Sequence, residues 1–560
     1  MLSSSCDFLI IGAGSAGCVL ANRLSEDGAA KVVVAEAGDA DRSIWMKVPI
    51  GLAKIVTNPR YIWDAVTEPD AGLGGNSLAW QSGRCLGGSS SVNGMIAARG
   101  HPAKYDAWRA AGCPGWGYEE LKPYFLRLED CAWGDGTSRG RGGPMAVSEV
   151  SPDAVTRGFL DACVEAGFPR ARDYNGALPD GAAPLQLTVR DGLRCSASTA
   201  YLAPASGRRN LSVLTGAVCQ RVIIADGRAT GAVFEREGET FTITARRAVV
   251  LAAGAIRSPQ LLELSGIGEG THLHDLGIDV VRHAPGVGEN LQDHLMGRVS
   301  FEARHALTAN DLVRNPLKLA LAAARYGLTR KGILATPTLT ALAYVRSAPD
   351  EALPDIRVQL GLSSGTGRLS MSPKDGLDAH SGFHLGAYFL YPQSRGRVHV
   401  RSRDAHQQPR IEANYLATPR DREVAAACIR IMREIAGQPS LARFIVRETR
   451  PGPAVTDPDA LLDFFARTGH TCWHPVGTCR MGDDAGSVVD PSLRVRGLDG
   501  LFVADASVMP FLVASNTNLP VIMIAEKAAD LIKAACGDCA PSAPMPAARL
   551  ETAGAARSSI

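Results

Sequence analysis

The sequence predicts an α/β domain of Rossmann-like type, assembled from discontinuous segments, joined to an α+β domain built on an antiparallel sheet. Three observations carry that expectation. An apolar strand near the N-terminus runs into a glycine-rich turn and a helix, the same order recurs around residue 254, and alternating segments fall between about residues 300 and 470. At 560 residues the chain is also longer than a single hydrophobic core usually organises.

The first element is Phe8-Leu9-Ile10-Ile11, an unbroken apolar run of the kind buried in a parallel sheet. Gly12, Gly14 and Gly17 follow at G-x-G-x-x-G spacing, then a helical pattern through Val19 to Leu24. A second apolar run, Lys31 to Ala35, ends on Glu36 and Ala37. Gly12 permits the tight turn, Gly14 lets backbone approach a pyrophosphate, and Gly17 lets helix and strand pack closely. Around Ser15 and Ala16 the helix start presents N–H groups and a positive dipole end to phosphates. Glu36 stands where a carboxylate accepts from ribose hydroxyls, and it would repel a 2′-phosphate, which argues against NADP. A glycine triplet alone is a weak sign, and a plain turn is its competing reading. The strand before it, the helix after it and the acid beyond argue for a dinucleotide, without separating NAD from FAD.

The second element is the stretch from Gly83 to Gly94, which holds Arg84, Gly87, Gly88, Ser89 and Asn93. Its glycines and serines expose N–H groups and hydroxyls suited to a polar, planar ligand, although the bare pattern also fits a flexible loop. The third is the strand Ala248 to Ala252, followed by Ala253, Gly254 and a helical pattern. The fourth comprises Trp473-His474-Pro475 through Gly482, then Val503-Ala504-Asp505-Ala506, then Asn516-Thr517-Asn518, which opens a helix through about Ala535. Glycine and proline around His474 are expected to keep it out of regular structure and open to proton transfer. Taken alone, it would read as an ordinary surface or packed histidine.

These segments, in this order, resemble the glucose-methanol-choline (GMC) oxidoreductases over about Cys6 to Ala535, and most of all the bacterial branch with choline dehydrogenase and medium-chain alcohol dehydrogenases. The resemblance implies FAD, with its pyrophosphate on the first glycine turn and its flavin beside the Gly87–Asn93 loop. Asp505 and Ala506 would lie along the ribityl and pyrophosphate, Val218 near the adenine, and Ala253, Gly254, Asn516 and Thr517 at the cofactor. It also implies His474 as base, with Asn518 sharing the substrate hydroxyl. Some relatives attach FAD through a histidine in the glycine loop. Val92 stands at that position here, so non-covalent FAD is expected.

The expected reaction is oxidation of a primary alcohol to an aldehyde: His474 removes the hydroxyl proton while hydride leaves for the flavin. Asn518 cannot titrate and would orient the hydroxyl. His470 and His294 are expected to act structurally or through hydrogen bonds rather than in catalysis. Oxygen or a quinone would take the electrons. The rival readings are a cyanohydrin-cleaving lyase that keeps FAD without net redox, a light-driven fatty-acid decarboxylase, and a flavin-bearing binding module.

The expected division is an FAD domain over 5–300, a substrate domain mainly over 301–470, a catalytic segment over 471–536 returning to the FAD domain, and a disordered tail over 537–560. The alternation Gly396 to Ser402 reads as strands of the substrate-domain sheet. Leu312 to Lys331 reads as a helix with basic residues around an Ala/Leu face. A solvated helix is the favoured reading, and peripheral membrane contact the second one.

A net charge of +2, from 59 basic and 57 acidic residues, gives no reason to expect nucleic acid. No metal-ligand spacing stands out. The thirteen cysteines lack the dense pattern of a disulfide scaffold, and Cys536/Cys539 reads as accidental. With no basic n-region and no long apolar run, a cytoplasmic enzyme is expected.

Overall fold

The computed structural model describes residues 5–176, 180–366 and 376–537. Two seven-stranded sheets organise it. The first contains β1 (Ser5–Ile11), β2 (Val32–Ala35), β3 (Leu211–Leu214), β4 (Val218–Ala225), β5 (Arg228–Arg236) and β6 (Glu239–Leu251). Their spatial order is β3-β2-β1-β6-β5-β4, with the strand Leu501–Val503 also paired to β6. β3, β2, β1 and the end of β6 run parallel, so that Phe8 faces both Val32 and Ala248. β4 and β5 form an antiparallel extension. β6 serves both parts: Glu239 to Thr244 pair with β5, and Ala248 to Leu251 pair with β1.

The parallel strands therefore come from distant parts of the chain, as the discontinuous motifs predicted. Leu9, Ile10, Val32, Val34, Val249 and Val250 are fully buried, the reason these strands read as unbroken apolar runs. Helix α1 (Ser15–Ser25) leaves β1 after the first glycine turn, and α2 (Gly254–Leu264) leaves β6 after the second.

The second sheet contains β7 (Leu295–Ala303), β8 (Leu339–Val345), β9 (Ile356–Gly361), β10 (Gly382–Phe389) and β11 (Ile445–Arg450), in the order β11-β7-β10-β9-β8. The short strand Gly181–Pro184 joins at β8 and His470–Thr471 at β7, and every pairing is antiparallel. Between β7 and β8 runs α3 (Pro316–Thr329). Helix α4 (Pro419–Ala436) buries Val424, Cys428, Met432 and Ile435 in the core it shares with the sheet. The last helix, α5 (Asn518–Cys536), packs against α1.

Three expectations change. The boundary at residue 300 falls inside β7, and Gly181–Pro184 crosses into the second sheet from within the stretch assigned to the first domain. The alternation at 396–402 belongs to a separate ribbon, Arg397–His399 with Arg410–Glu412, which packs on α2. A three-residue ribbon that buries Val398 and Ile411 and exposes Arg397 and Arg410 gives the same alternation as a sheet strand. The single helix expected over 312–331 is two, Ala309–Arg314 and α3. Asn315 is extended between them, because a proline at 316 disfavours helical backbone before it. From residue 538 onward the expected tail, with Cys539, lies outside the described residues.

Candidate active site

A cavity of about 310 Å³ brings the separated motifs together. Gly12, Gly14, Ser15 and Ala16 line it from the first turn, with Glu36 and Ala37 from the end of β2 and Val218 from β4. Gly88, Ser89, Asn93 and Gly94 contribute from the glycine loop, and Ala253, Gly254, Asp505 and Ala506 from the other strand ends. His474, Asn516, Thr517 and Asn518 share the same cavity. Three expected residues stand behind the wall. Gly17 packs so closely that a Cβ would lie 1.8 Å from the Gly12 carbonyl oxygen. Gly87 donates its N–H to the Ala13 carbonyl at 2.8 Å. The Arg84 guanidinium lies over the Trp63 ring, 4.5 Å from its centre.

The glycine turns test whether a dinucleotide fits. A Cβ on Gly12 would come within 2.7 Å of the Ala252 carbonyl oxygen, so the fold itself requires that glycine. Gly14 differs: a Cβ there would meet nothing closer than 3.9 Å. The chain does not demand a glycine at 14, whereas a pyrophosphate approaching the backbone would. No side chain caps the start of α1, so its first N–H groups are available to that ligand. The cradle fits FAD.

Two carboxylates brace the cradle. Glu36 accepts from the Ala13 and Gly38 N–H groups, both at 2.9 Å, and burial pushes its carboxyl up to about 7. Asp505 accepts from the Gly254 N–H at 2.8 Å and the Ser258 hydroxyl at 2.5 Å, tying the strand Leu501–Val503 to the start of α2. Asn93 is held by Arg194, whose Nη1 donates to Asn93 Oδ1 at 2.8 Å.

His474 is only 6% exposed, although its flanking glycine and proline predict an open turn. The segment just before β7 covers it. Buried Asp293 accepts from the His474 N–H at 2.7 Å and from the Thr471 hydroxyl at 2.6 Å, and Trp473 takes the left-handed conformation, φ 58°. The ring is then held at both nitrogens. Asn516 Nδ2 lies 2.8 Å from Nε2, and His294 Nδ1 lies 2.9 Å from Nδ1.

The hydrogens along this chain of groups follow from its two ends. Buried Arg357 can only donate, and it donates to Asn516 Oδ1, so the Asn516 amide nitrogen must face His474 and donate to Nε2. At the other end His294 Nε2 lies 3.1 Å from the Leu390 carbonyl, which can only accept, so neutral His294 carries its proton on Nε2 and accepts at Nδ1. Burial holds His294 down at about 3, which keeps it neutral. His474 therefore donates from Nδ1 and carries its lone pair on Nε2. The other acceptors of the Arg357 guanidinium are Tyr388 Oη at 2.8 Å and Gln359 Oε1 at 3.4 Å, both neutral.

The place beside His474 expected for Asn518 belongs to Asn516. The Asn518 Oδ1 instead accepts from the Ser15 hydroxyl at 2.8 Å, linking α5 to α1. The expected hydrogen-bonding part of His294 is present. His470 sits in the short strand opposite Met296. Sequence reasoning missed Arg357, Asp293 and the aromatic wall of Trp63, Trp80 and Trp473. An arginine between two apolar residues (Ile356-Arg357-Val358) was the one local sign of Arg357.

The fold agrees with what the chain resembles among known proteins. Family models described as GMC oxidoreductase match residues 6–296 and 392–525. An oxygen-dependent choline dehydrogenase of Photobacterium profundum is 39% identical over 536 residues, covering 95% of this chain and 93% of that protein. A GMC-type oxidoreductase of Mycobacterium tuberculosis is 42% identical, covering 95% and 100%. The crystal structure of pyridoxine 4-oxidase from Mesorbium loti superposes with a TM-score of 0.84 at 34% identity, over 94% of this chain and 98% of that one. Formate oxidase of Aspergillus oryzae shares the fold, with a TM-score of 0.87 at 24% identity over 96% and 99%. The chain belongs to the GMC oxidoreductases, a family of FAD-dependent enzymes.

Proposed function

We propose that this enzyme oxidises an uncharged primary alcohol to the aldehyde, with non-covalently bound FAD and His474 as general base. The observation that carries this reading is the His474 Nε2 lone pair, fixed by the hydrogen-bond chain, at the wall of the cavity that also holds the dinucleotide cradle. When bound, FAD supplies the hydride acceptor, regenerated by oxygen or a quinone.

On entry, the alcohol O–H would take over Nε2 as donor, and the displaced Asn516 amide would donate to the alcohol oxygen. His474 then accepts the proton, and its Nδ1–H remains on His294. Asn516, backed by the Arg357 charge, stabilises the negative charge that develops on oxygen. A base so placed contributes about 10²–10⁴-fold. Val92 lines the cavity and offers only hydrocarbon, which supports non-covalent attachment.

Substrate charge follows from the lining. Among the described residues the carboxylates that line the cavity are Glu36 and Asp505, both engaged by backbone N–H groups, while Arg257 lines it and Arg357 stands behind Asn516. That balance disfavours a cationic substrate. Choline is the second reading, favoured by the Trp80 and Trp473 rings on the cavity wall, which could take an ammonium through cation–π contact. No disulfide joins the described cysteines, in keeping with a reducing, cytoplasmic setting.

Anaerobic mixing with medium-chain, aromatic and choline substrates tests the proposal. Bleaching of the flavin by neutral primary alcohols, abolished in His474→Ala, is the expected result. Bleaching by choline alone would overturn the substrate assignment, and reduction that survives His474→Ala would overturn the base.

A further inference from the structure

Helix α3 presents its apolar side to solvent. Tyr326 is its buried residue, donating its hydroxyl to the Gly192 carbonyl at 2.8 Å, and Ala322 packs beside it. At 100° per residue Leu317, Leu321, Ala324 and Leu328 fall on the opposite face. Leu317 is 69%, Leu321 63% and Leu328 87% exposed. A helix resting on a protein core turns leucines inward, and this one turns them outward. Such a stripe is more than the scattered apolar residues of an ordinary surface.

Charge identifies the occupant. Lys318 and Arg325 lie along one edge of the leucine stripe, Arg314, Arg330 and Lys331 stand at its ends, and no acidic residue occurs from Leu312 to Gly332. Lys318 also reaches back to Asp311 at 3.0 Å. A second copy docked face to face would bring this basic set against itself. An anionic lipid surface satisfies both features, because leucines enter the acyl boundary while lysine and arginine stay among the headgroups. No helix among the described residues is long and apolar enough to cross a membrane, so the contact is peripheral.

The neighbouring structure links this helix to the cavity wall. Leu312, Tyr326 and Leu334 form a small core onto which Val48 and Ile50 pack. The same segment carries exposed Ile44 and Trp45 before it and runs on into Leu52 and Val56, which line the cavity. We propose that α3, with its basic edge, is a peripheral docking face for anionic membranes. This inference is independent of the assigned reaction and is read without turnover.

The full-length holoenzyme is sedimented with vesicles of phosphatidylcholine alone and of phosphatidylcholine with an equal part of phosphatidylglycerol. The expected result is binding to the anionic vesicles, weakened by salt. It should fall at least tenfold in the triple variant Leu317→Gln/Leu321→Gln/Leu328→Gln, and also in Arg325→Glu, with flavin content and Tm unchanged. Failure of the wild type to bind anionic vesicles at low salt would overturn the proposal. So would equal binding by the triple variant, or a wild-type dimer that the triple variant converts to monomer, which would make the face a contact between copies.

Discussion

Arg357 donates to the Oδ1 of Asn516, and this one direction of donation decides which end of the amide faces His474. Residues far apart in sequence thus set the protonation geometry of the candidate base.

Asn516 and Asn518 should differ sharply. Asn516→Ala removes the donor at His474 Nε2 and should lower kcat by about 10²-fold, in the range for loss of one donor to a developing oxyanion. Asn518→Ala removes a contact with Ser15 and should change kcat by less than about tenfold while weakening FAD retention. Steady-state kinetics and flavin content of the two variants check this.

Removing the Arg357 charge should show in the pH profile. A fixed cation behind Asn516 disfavours the protonated form of His474, so in Arg357→Met the acid limb of kcat/KM should move up by about one unit. Arg357→Lys keeps the charge and one donor and should restore most of that displacement. A profile unmoved in Arg357→Met would reduce Arg357 to a packing residue.

His294 should contribute no limb of its own, since burial holds it down at about 3 and it stays neutral wherever the enzyme is assayed. Its loss should still be felt. His294→Leu frees the His474 Nδ1–H and allows the other tautomer, so kcat should fall by about 10²-fold with little change in KM.

Gly14→Ala separates ligand from fold. Its Cβ has 3.9 Å of room in the protein, so Tm of the apoprotein should stay within about two degrees of wild type, while FAD retention falls at least tenfold. Gly17→Ala, with a Cβ 1.8 Å from a carbonyl oxygen, should fail to fold at all.

A pH-dependent clasp lies away from the site. His399 donates to Glu263 on α2 at 2.7 Å and to Glu289 at 3.0 Å; burial pulls the imidazolium down, but the two carboxylates outweigh it and hold it up at about 9. The stabilisation is complete below the unfolded value near 6.5 and is lost as pH rises through 9, with a ceiling of about 3 kcal/mol. Thermal melts across that interval should show wild type losing stability relative to His399→Gln.

The parallel half of the first sheet was legible because each strand is buried on both faces and each glycine turn has a steric reason. Glu36 was legible as an acid at a strand end, and Asp505 only through the family resemblance. The candidate pair His474 and Asn516 was less legible. Asn516 and Asn518 flank Thr517 symmetrically in sequence, and only the start of α5 decides that one meets His474 while the other meets Ser15. The burial of His474 was hidden because its turn meets Asp293 and His294, which come from another part of the chain. Arg357 reaches the site through sheet pairing and His294 from the residue before β7, and no local pattern announces a partner supplied by a distant strand. The alternation at 396–402 misled because a short ribbon and an edge strand share a period.

Asp505 bears also on when the site can exist. The parallel sheet receives the strand Leu501–Val503 beside β6, and Asp505 then clamps Gly254 and Ser258 at the start of α2. A nascent chain still lacking that strand has the N-terminal glycine turn in hand but neither the clamp nor Asn516. A chain terminated upstream of that strand would lack the Asp505 clamp and Asn516, and with them a closed nucleotide cleft.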